Sequence, residues 1–186
     1  MQREWKNIDY LLNIGEKQKK TYDIITDIGI LEILEKYNPI LVGTIPIDID
    51  IDKSDIDIAC EVYDFNKFKK IVIELFHKYK NFTIDIRNER EREFIVANFY
   101  IEEMEIEIYG EALPVEKQNG YRHMIIEDRI LKIGGRKLKE EIIKLKKAGL
   151  KTEPAFAKCL DVYGDPYEEL LKLENKDDNY LRKLIL

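Results

Sequence analysis

The stretch Asp55-Ile56-Asp57-Ile58-Ala59-Cys60 constrains this chain more than any other. Strict alternation of polar and apolar residues marks a strand with one buried face. Side chains two apart on a strand share a face. Asp55 and Asp57 therefore point the same way, while Ile56 and Ile58 enter the opposite layer. Two carboxylates side by side repel each other unless a cation lies between them.

Upstream, Ile40-Leu41-Val42 reads as a short strand that runs directly into Gly43-Thr44. A glycine after a strand lets the backbone approach a phosphate closely and turn its N–H groups toward the anion. The Thr44 hydroxyl can add a hydrogen bond. The chain between Thr44 and Asp55 is long enough to bring the second strand back beside the first. A phosphate cradle then lies next to the carboxylates. A third acidic residue is expected from Met104-Glu105-Ile106-Glu107-Ile108-Tyr109, which alternates in the same way. Glu105 and Glu107 share a face, and Glu107 is favoured because Ile106 and Ile108 flank it. Magnesium suits a few carboxylates combined with substrate phosphates, and manganese is the alternative. A pair of such ions ~3.5–4 Å apart activates an attacking oxygen and stabilises a leaving pyrophosphate.

The rest of the chain supplies a frame. A helical pattern over residues 8–36, interrupted at Gly15, stops at Asn38-Pro39. A second helix is predicted over 66–79. Strands are predicted over 82–87, 94–100 and 104–109, the last two as a hairpin. Beyond Gly110 and Pro114 the periodicity is helical over 121–133, 136–148, 153–162 and 166–174, punctuated by Gly134-Gly135, Gly149 and Gly164-Asp165-Pro166. The expected class is α+β, a mixed sheet flanked by helices with a helical C-terminal third. We read 1–186 as one domain, with a core over about 22–115 and a helical extension over about 120–186.

At this point the chain resembles the nucleotidyltransferase superfamily. The shared pattern is a strand, Gly43-Thr44, an intervening segment, then Ser54-Asp55-Ile56-Asp57-Ile58 and a later acidic residue on a strand. More closely, it resembles the uncharacterised DUF4269 family. The segments that carry this are Val42-Gly43-Thr44-Ile45-Pro46-Ile47, Ser54-Asp55-Ile56-Asp57-Ile58, Val96-Ala97-Asn98-Phe99, Glu107-Ile108-Tyr109-Gly110, Pro114-Val115, Gln118-Asn119, Tyr121-Arg122-His123-Met124 and Leu150-Lys151-Thr152-Glu153-Pro154-Ala155-Phe156-Ala157. The resemblance spans roughly residues 25–174. It implies a nucleotidyltransferase fold with Asp55, Asp57 and Glu107 as catalytic metal ligands, and nucleotide contacts from Gly43, Thr44 and Ser54. Many small nucleotidyltransferases carry Arg and Gly shortly after the Gly-Ser pair, where this chain has Ile47 and Asp48.

Arg122 and His123 open the helix that follows the third acidic strand. A helix N-terminus favours phosphate, and arginine neutralises phosphoryl oxygens. Both are therefore candidate nucleotide contacts. Asp48, Asp50 and Asp52 read as exposed loop residues, and His77 as a surface residue. A calcium loop starting at Asp50 fails because Asp55 stands where its glycine belongs. Arg87, Arg90 and Arg92 with Glu89, Glu91 and Glu93 read as a solvated hairpin turn. Tyr and Phe in the C-terminal helices read as core, and Lys-rich 137–147 as a solvent face.

Composition narrows the partners. Lys and Arg number 31 against 37 Asp and Glu, a formal net charge of -6. Such a balance gives no general electrostatic attraction to nucleic acid. The expected ligand is an NTP, ATP by default. The expected acceptor is a small molecule or protein rather than a long nucleic acid. No apolar run of membrane-spanning length occurs, and no apolar signal core follows Met1-Gln2-Arg3. Cys60 and Cys159 lie outside any CxxC pattern and read as free thiols, so a cytoplasmic location is expected. The reading is a magnesium-dependent transfer of NMP from an NTP to an unidentified acceptor hydroxyl. A nucleotide- or partner-binding module without turnover is the alternative.

Overall fold

The computed structural model describes residues 4–89 and 92–185. Met1, Gln2, Arg3, Arg90, Glu91 and Leu186 lie outside the described residues, so the leader reading and the tip of the charged hairpin fall partly there. The chain divides into two compact units. One is Met1–Asp48 with Ser54–Gln118, and the other is Ile49–Lys53 with Asn119–Leu186.

The first unit opens with a 3-10 turn, Asp9–Asn13, then α1 (Glu16–Ile28) and the single-turn α2 (Ile30–Ile33). The continuous helix expected over 8–36 is broken at Gly29 as well as near Gly15. Gly29 adopts φ 62° and ψ 29°, and its N–H caps the carbonyls of Ile25 and Thr26. A left-handed residue ends a helix this way, and glycine takes that conformation without steric cost. The chain then enters β1 (Ile40–Val42), β2 (Ile56–Glu61), α3 (Phe65–Phe76), β3 (Lys80–Glu89), β4 (Arg92–Ile101) and β5 (Met104–Glu111). Asp64 caps α3 by accepting from the Lys67 N–H at 2.9 Å.

The five strands form one mixed sheet in the order β1-β2-β5-β4-β3. Only β2 and β5 are parallel neighbours; the other pairs are antiparallel. One face of the sheet is apolar throughout, and Ile40, Val42, Ala59 and Val96 are buried on the other. Leu41, Ile56, Ile58, Cys60, Ile95, Ala97, Phe99, Ile106 and Ile108 join Phe68, Val72 and Phe76 of α3 and Ile24, Ile25 and Ile30 of α1 and α2 in one buried core. Cys60 is sealed in that layer, and burial pushes its thiol pKa up.

The second unit is helical. In α4 (Asn119–Lys147) the expected break at Gly134-Gly135 is a kink, with Gly135 at φ 64° and ψ -159°. It is followed by α5 (Thr152–Cys159), α6 (Pro166–Lys172) and α7 (Asp178–Ile185). Asp165 caps α6 through the Tyr167 N–H at 3.0 Å, with Pro166 in the first turn. Met124, Ile126 and Ile130 of α4, Phe156 of α5, Leu170 of α6 and Leu181 of α7 are buried. Lys146 is buried as well, and its Nζ donates to the Ile49 carbonyl at 2.7 Å, which ties residues 49–53 to this unit. No helix among the described residues is long and apolar enough to cross a membrane.

Phe99 is fully buried and stacks on Phe76 and Tyr79, with centroids 5.1 and 5.2 Å away. Replacing it with alanine is expected to cost about 3–5 kcal/mol, because the ring's contacts and the space it fills are both lost. Urea unfolding of wild type and Phe99→Ala measures this.

Candidate active site

The face of the sheet opposite the core carries the acidic residues, and strand register decides which of them meet. Val42 pairs with Asp57 across β1 and β2. Asp57 pairs with Glu107 across the parallel β2 and β5. Glu107 in turn pairs with Asn98 across β5 and β4. One row across the sheet therefore reads Val42, Asp57, Glu107, Asn98. Directly opposed residues on neighbouring strands share a face and lie within side-chain reach. Asp55 immediately precedes β2 and Glu105 lies two residues before Glu107, so both belong to this face. Asp55, Asp57, Glu105 and Glu107 are all half-buried.

Neutral donors organise this cluster. The Asn98 amide donates to Glu107 Oε2 at 3.3 Å and reaches Glu105 Oε1 at 3.5 Å. The Tyr100 hydroxyl donates to Glu105 Oε2 at 2.6 Å, and this bond raises the Tyr100 pKa. Burial pushes the Glu107 carboxyl above its usual range. The Asn98 hydrogen bond works against that rise, the negative charges of Asp55 and Glu105 add to it, and Arg87 opposes it. A carboxylate raised by desolvation and by like charges is the environment a bound cation would reverse.

Gly43 follows β1 with φ 82°, a region that L side chains rarely adopt. A Cβ there would overlap Asp57 Oδ2. The glycine is thus required twice, for its backbone angle and because the Asp57 carboxylate occupies the space a side chain would need. Thr44 Oγ1 donates to Ser54 Oγ at 3.2 Å, which couples the turn after β1 to the residue before Asp55. The first unit brings Gly43, Thr44, Ser54, Asp55, Asp57 and Glu107 to the β1–β2–β5 part of the sheet. Sequence reasoning did not single out Asn98 or Tyr100 as site residues. Their role follows from antiparallel register, which local patterns do not reveal.

Arg122 and His123 lie in the second unit. Arg122 forks onto Glu174, with Nε–Oε1 3.1 Å and Nη2–Oε2 2.6 Å. His123 is buried edge-on to the Tyr167 ring at 6.2 Å. Burial, reinforced by the neighbouring Arg122 charge, lowers its pKa to about 4, so the imidazole is neutral at physiological pH.

A family profile described as Domain of unknown function (DUF4269) matches residues 23–173. None of the curated proteins matches the sequence. Among solved structures, the chain is similar to the Cid1 poly(U) polymerase with Mg and 3'-dATP bound. The TM-score is 0.52 at 11% identity, over 87% of this chain and 51% of that one. It is also similar to a chain of the GLD-2/RNP-8 complex, with a TM-score of 0.51 at 9% identity, over 95% of this chain and 75% of that one. The chain thus spans about half the length of the Cid1 structure. These likenesses establish a nucleotidyltransferase-like fold.

Two outcomes test the geometry. Gly43→Ala is expected to destabilise by about 1–3 kcal/mol more than Gly149→Ala, because a methyl at Gly43 must also displace Asp57. Gly149 has φ 100° but nothing within 4 Å of an added Cβ, so it isolates the backbone cost. Glu107 has a folded pKa above its unfolded one, so its contribution to stability is complete below the unfolded pKa and is lost as pH rises through the folded pKa. Without divalent cations, Glu107→Gln is expected to be more stable than wild type at neutral pH. The gap should close toward acid, near the ordinary carboxyl pKa of ~4.3. Denaturant midpoints across pH measure that gap.

Proposed function

The chain belongs to the DUF4269 family, and on that premise we propose that it transfers NMP from an NTP to an acceptor hydroxyl with the help of magnesium. The observation that carries this reading is the parallel pairing of Asp57 with Glu107, backed by the obligatory glycine at 43. It gathers carboxylates beside a strand-to-turn backbone suited to phosphate.

The donor set fits a hard cation: half-buried carboxylates from two adjacent strands, one of them Glu107, whose pKa is raised by burial and by the charges of Asp55 and Glu105. Asp55, Asp57 and Glu107 would hold magnesium, with manganese as a substitute. When bound, the cation supplies charge neutralisation for phosphate oxygens and lowers the pKa of a coordinated hydroxyl. Gly43 and Thr44 would receive the triphosphate through backbone N–H groups and the Thr44 hydroxyl, with Ser54 holding Thr44 in place. Glu107 would accept the proton of the acceptor hydroxyl. The freed oxygen attacks the α-phosphorus, a P–O bond forms, and the bond to the β-phosphate breaks to release pyrophosphate. Asn98 and Tyr100 keep Glu107 and Glu105 in fixed orientations.

Arg122 and His123 are engaged in the second unit, so this reading draws nucleotide contacts from Gly43, Thr44 and Ser54 alone. The poly(U) polymerase of this fold was crystallised with Mg and 3'-dATP, which makes an NTP with magnesium the first ligand to try. The net charge of -6 favours a small molecule or a protein over a long nucleic acid as acceptor. A binding module without turnover is the second reading. It is favoured by Asp48, an additional acidic residue at the position where many relatives of this fold place glycine after arginine.

Thermal melting with ATP, GTP, CTP and UTP, each with and without magnesium, tests the proposal. A ligand that binds only the folded state raises the melting temperature by mass action. One nucleotide should stabilise wild type only when magnesium is present, and Asp57→Asn should lose that response. Once an acceptor is found, Glu107→Gln should lower turnover ~10²–10⁴-fold, the range for loss of a general base. Nucleotide binding without pyrophosphate release would favour the second reading. No response to any nucleotide would refute the transfer reading and leave a partner-binding module in its place.

A further inference from the structure

The second unit contains a polar cluster that the proposed transfer reaction does not use. His123 and Glu127 lie one helical turn apart on α4, so they project from the same face. Glu153 stands in the first turn of α5. One ligand atom from each of the three lies within 4.8 Å of the others. His123 is 7% exposed and Glu127 3%. His123 Nδ1 and Glu127 Oε1 are buried with no hydrogen-bond partner among the described residues.

That combination is costly as it stands. A buried polar atom without a partner loses its hydration and receives nothing in return. Hydrophobic packing explains Met124, Ile126 and Ile130, which are also buried on α4, but not a buried imidazole nitrogen and a buried carboxylate oxygen without partners. Lys146, buried in the same unit, directs its Nζ to the Ile49 carbonyl at 2.7 Å. Its positive charge acts on Glu127 and Glu153, yet it has no bearing on the orphaned Nδ1 of a neutral histidine. A divalent cation satisfies all three groups together: imidazole nitrogen and carboxylate oxygen are both zinc ligands, at ~2.0–2.2 Å.

We propose that His123, Glu127 and Glu153 bind one divalent transition-metal ion, zinc in the first instance, which fastens the start of α5 to the first half of α4. Three protein ligands leave a fourth position for water or another small ligand. This site uses none of the sheet carboxylates and does not depend on the transfer chemistry assigned to them.

The test uses the full chain carrying Asp55→Asn and Asp57→Asn, which removes two of the sheet carboxylates from the count. After chelator treatment and dialysis, it is titrated with zinc by calorimetry and with cobalt(II) by visible absorption. The expected result is one zinc per chain, a raised melting temperature, and the visible bands of a low-coordinate cobalt site with a nitrogen ligand. Glu153→Gln, at a half-buried position, should keep the fold and weaken zinc by more than the ~10–100-fold that follows loss of an outer hydrogen-bond partner. His123→Asn should also abolish the cobalt spectrum. If either substitution fails to fold, resonance of the His123 imidazole nitrogens in the parent protein decides, since direct zinc ligation shifts one of them. The proposal is overturned if the parent protein binds no zinc with a melting shift. It is equally overturned if Glu153→Gln binds zinc as tightly as its parent, or if zinc leaves the His123 nitrogens unmoved.

Discussion

The parallel pairing of β2 with β5 governs the rest. It sets Asp57 beside Glu107 on one face while Ile56, Ile58, Ile106 and Ile108 lock together on the other. The apolar side enforces the acidic side. Slipping either strand by one residue would carry its isoleucines to solvent and its carboxylates into the core. Each buried isoleucine contributes roughly 1.5–3 kcal/mol, so the register tolerates the repulsion between two half-exposed carboxylates. The fold thus holds like charges side by side with packing energy. Gly43 completes the arrangement, because only a residue without a Cβ leaves room for the Asp57 carboxylate at the end of β1.

Much of this was legible in the chain because its key strands alternate with period two. That pattern put Asp55 and Asp57 on one face and Glu105 and Glu107 on another strand's face, and the structure pairs Asp57 with Glu107 across the two strands. Strand positions 92–101 and 104–111 differ from the expected ones by a residue or two, as fraying ends do. What escaped was non-local. Asn98 and Tyr100 acquire their meaning only from pairing with Glu107 and Glu105. The break at Gly29 hides inside an unbroken helical periodicity, since a left-handed cap needs no change in apolar spacing. The helix α7 is short, half of its residues are polar, and Leu181 is the one it buries.

The second unit shows a further limit of pattern reading. His123 drew notice for its place near a helix start, but Glu127 and Glu153 did not, because a glutamate in a helix reads as solvent-facing. Burial of Glu127 follows from how α5 covers that face of α4, information that resides in tertiary packing. The i,i+4 spacing of His123 and Glu127 was the available signal. Arg122 illustrates the converse, since a residue suited to phosphate forks onto Glu174 within its own unit. Likeness to solved structures at 9–11% identity establishes the fold and leaves chemistry to the residues themselves.

A cation held at the Asp57–Glu107 pair, as proposed, would sit beside the Gly43-Thr44 turn. Paramagnetic broadening by manganese, read on the backbone amides of the labelled protein, tests it without any knowledge of the acceptor. The account requires that sub-stoichiometric manganese broaden the amides of Gly43, Thr44, Asp55, Asp57 and Glu107 first, and that magnesium restore them by competition. Broadening spread evenly over the acidic surface, or unchanged in Asp57→Asn, would contradict it.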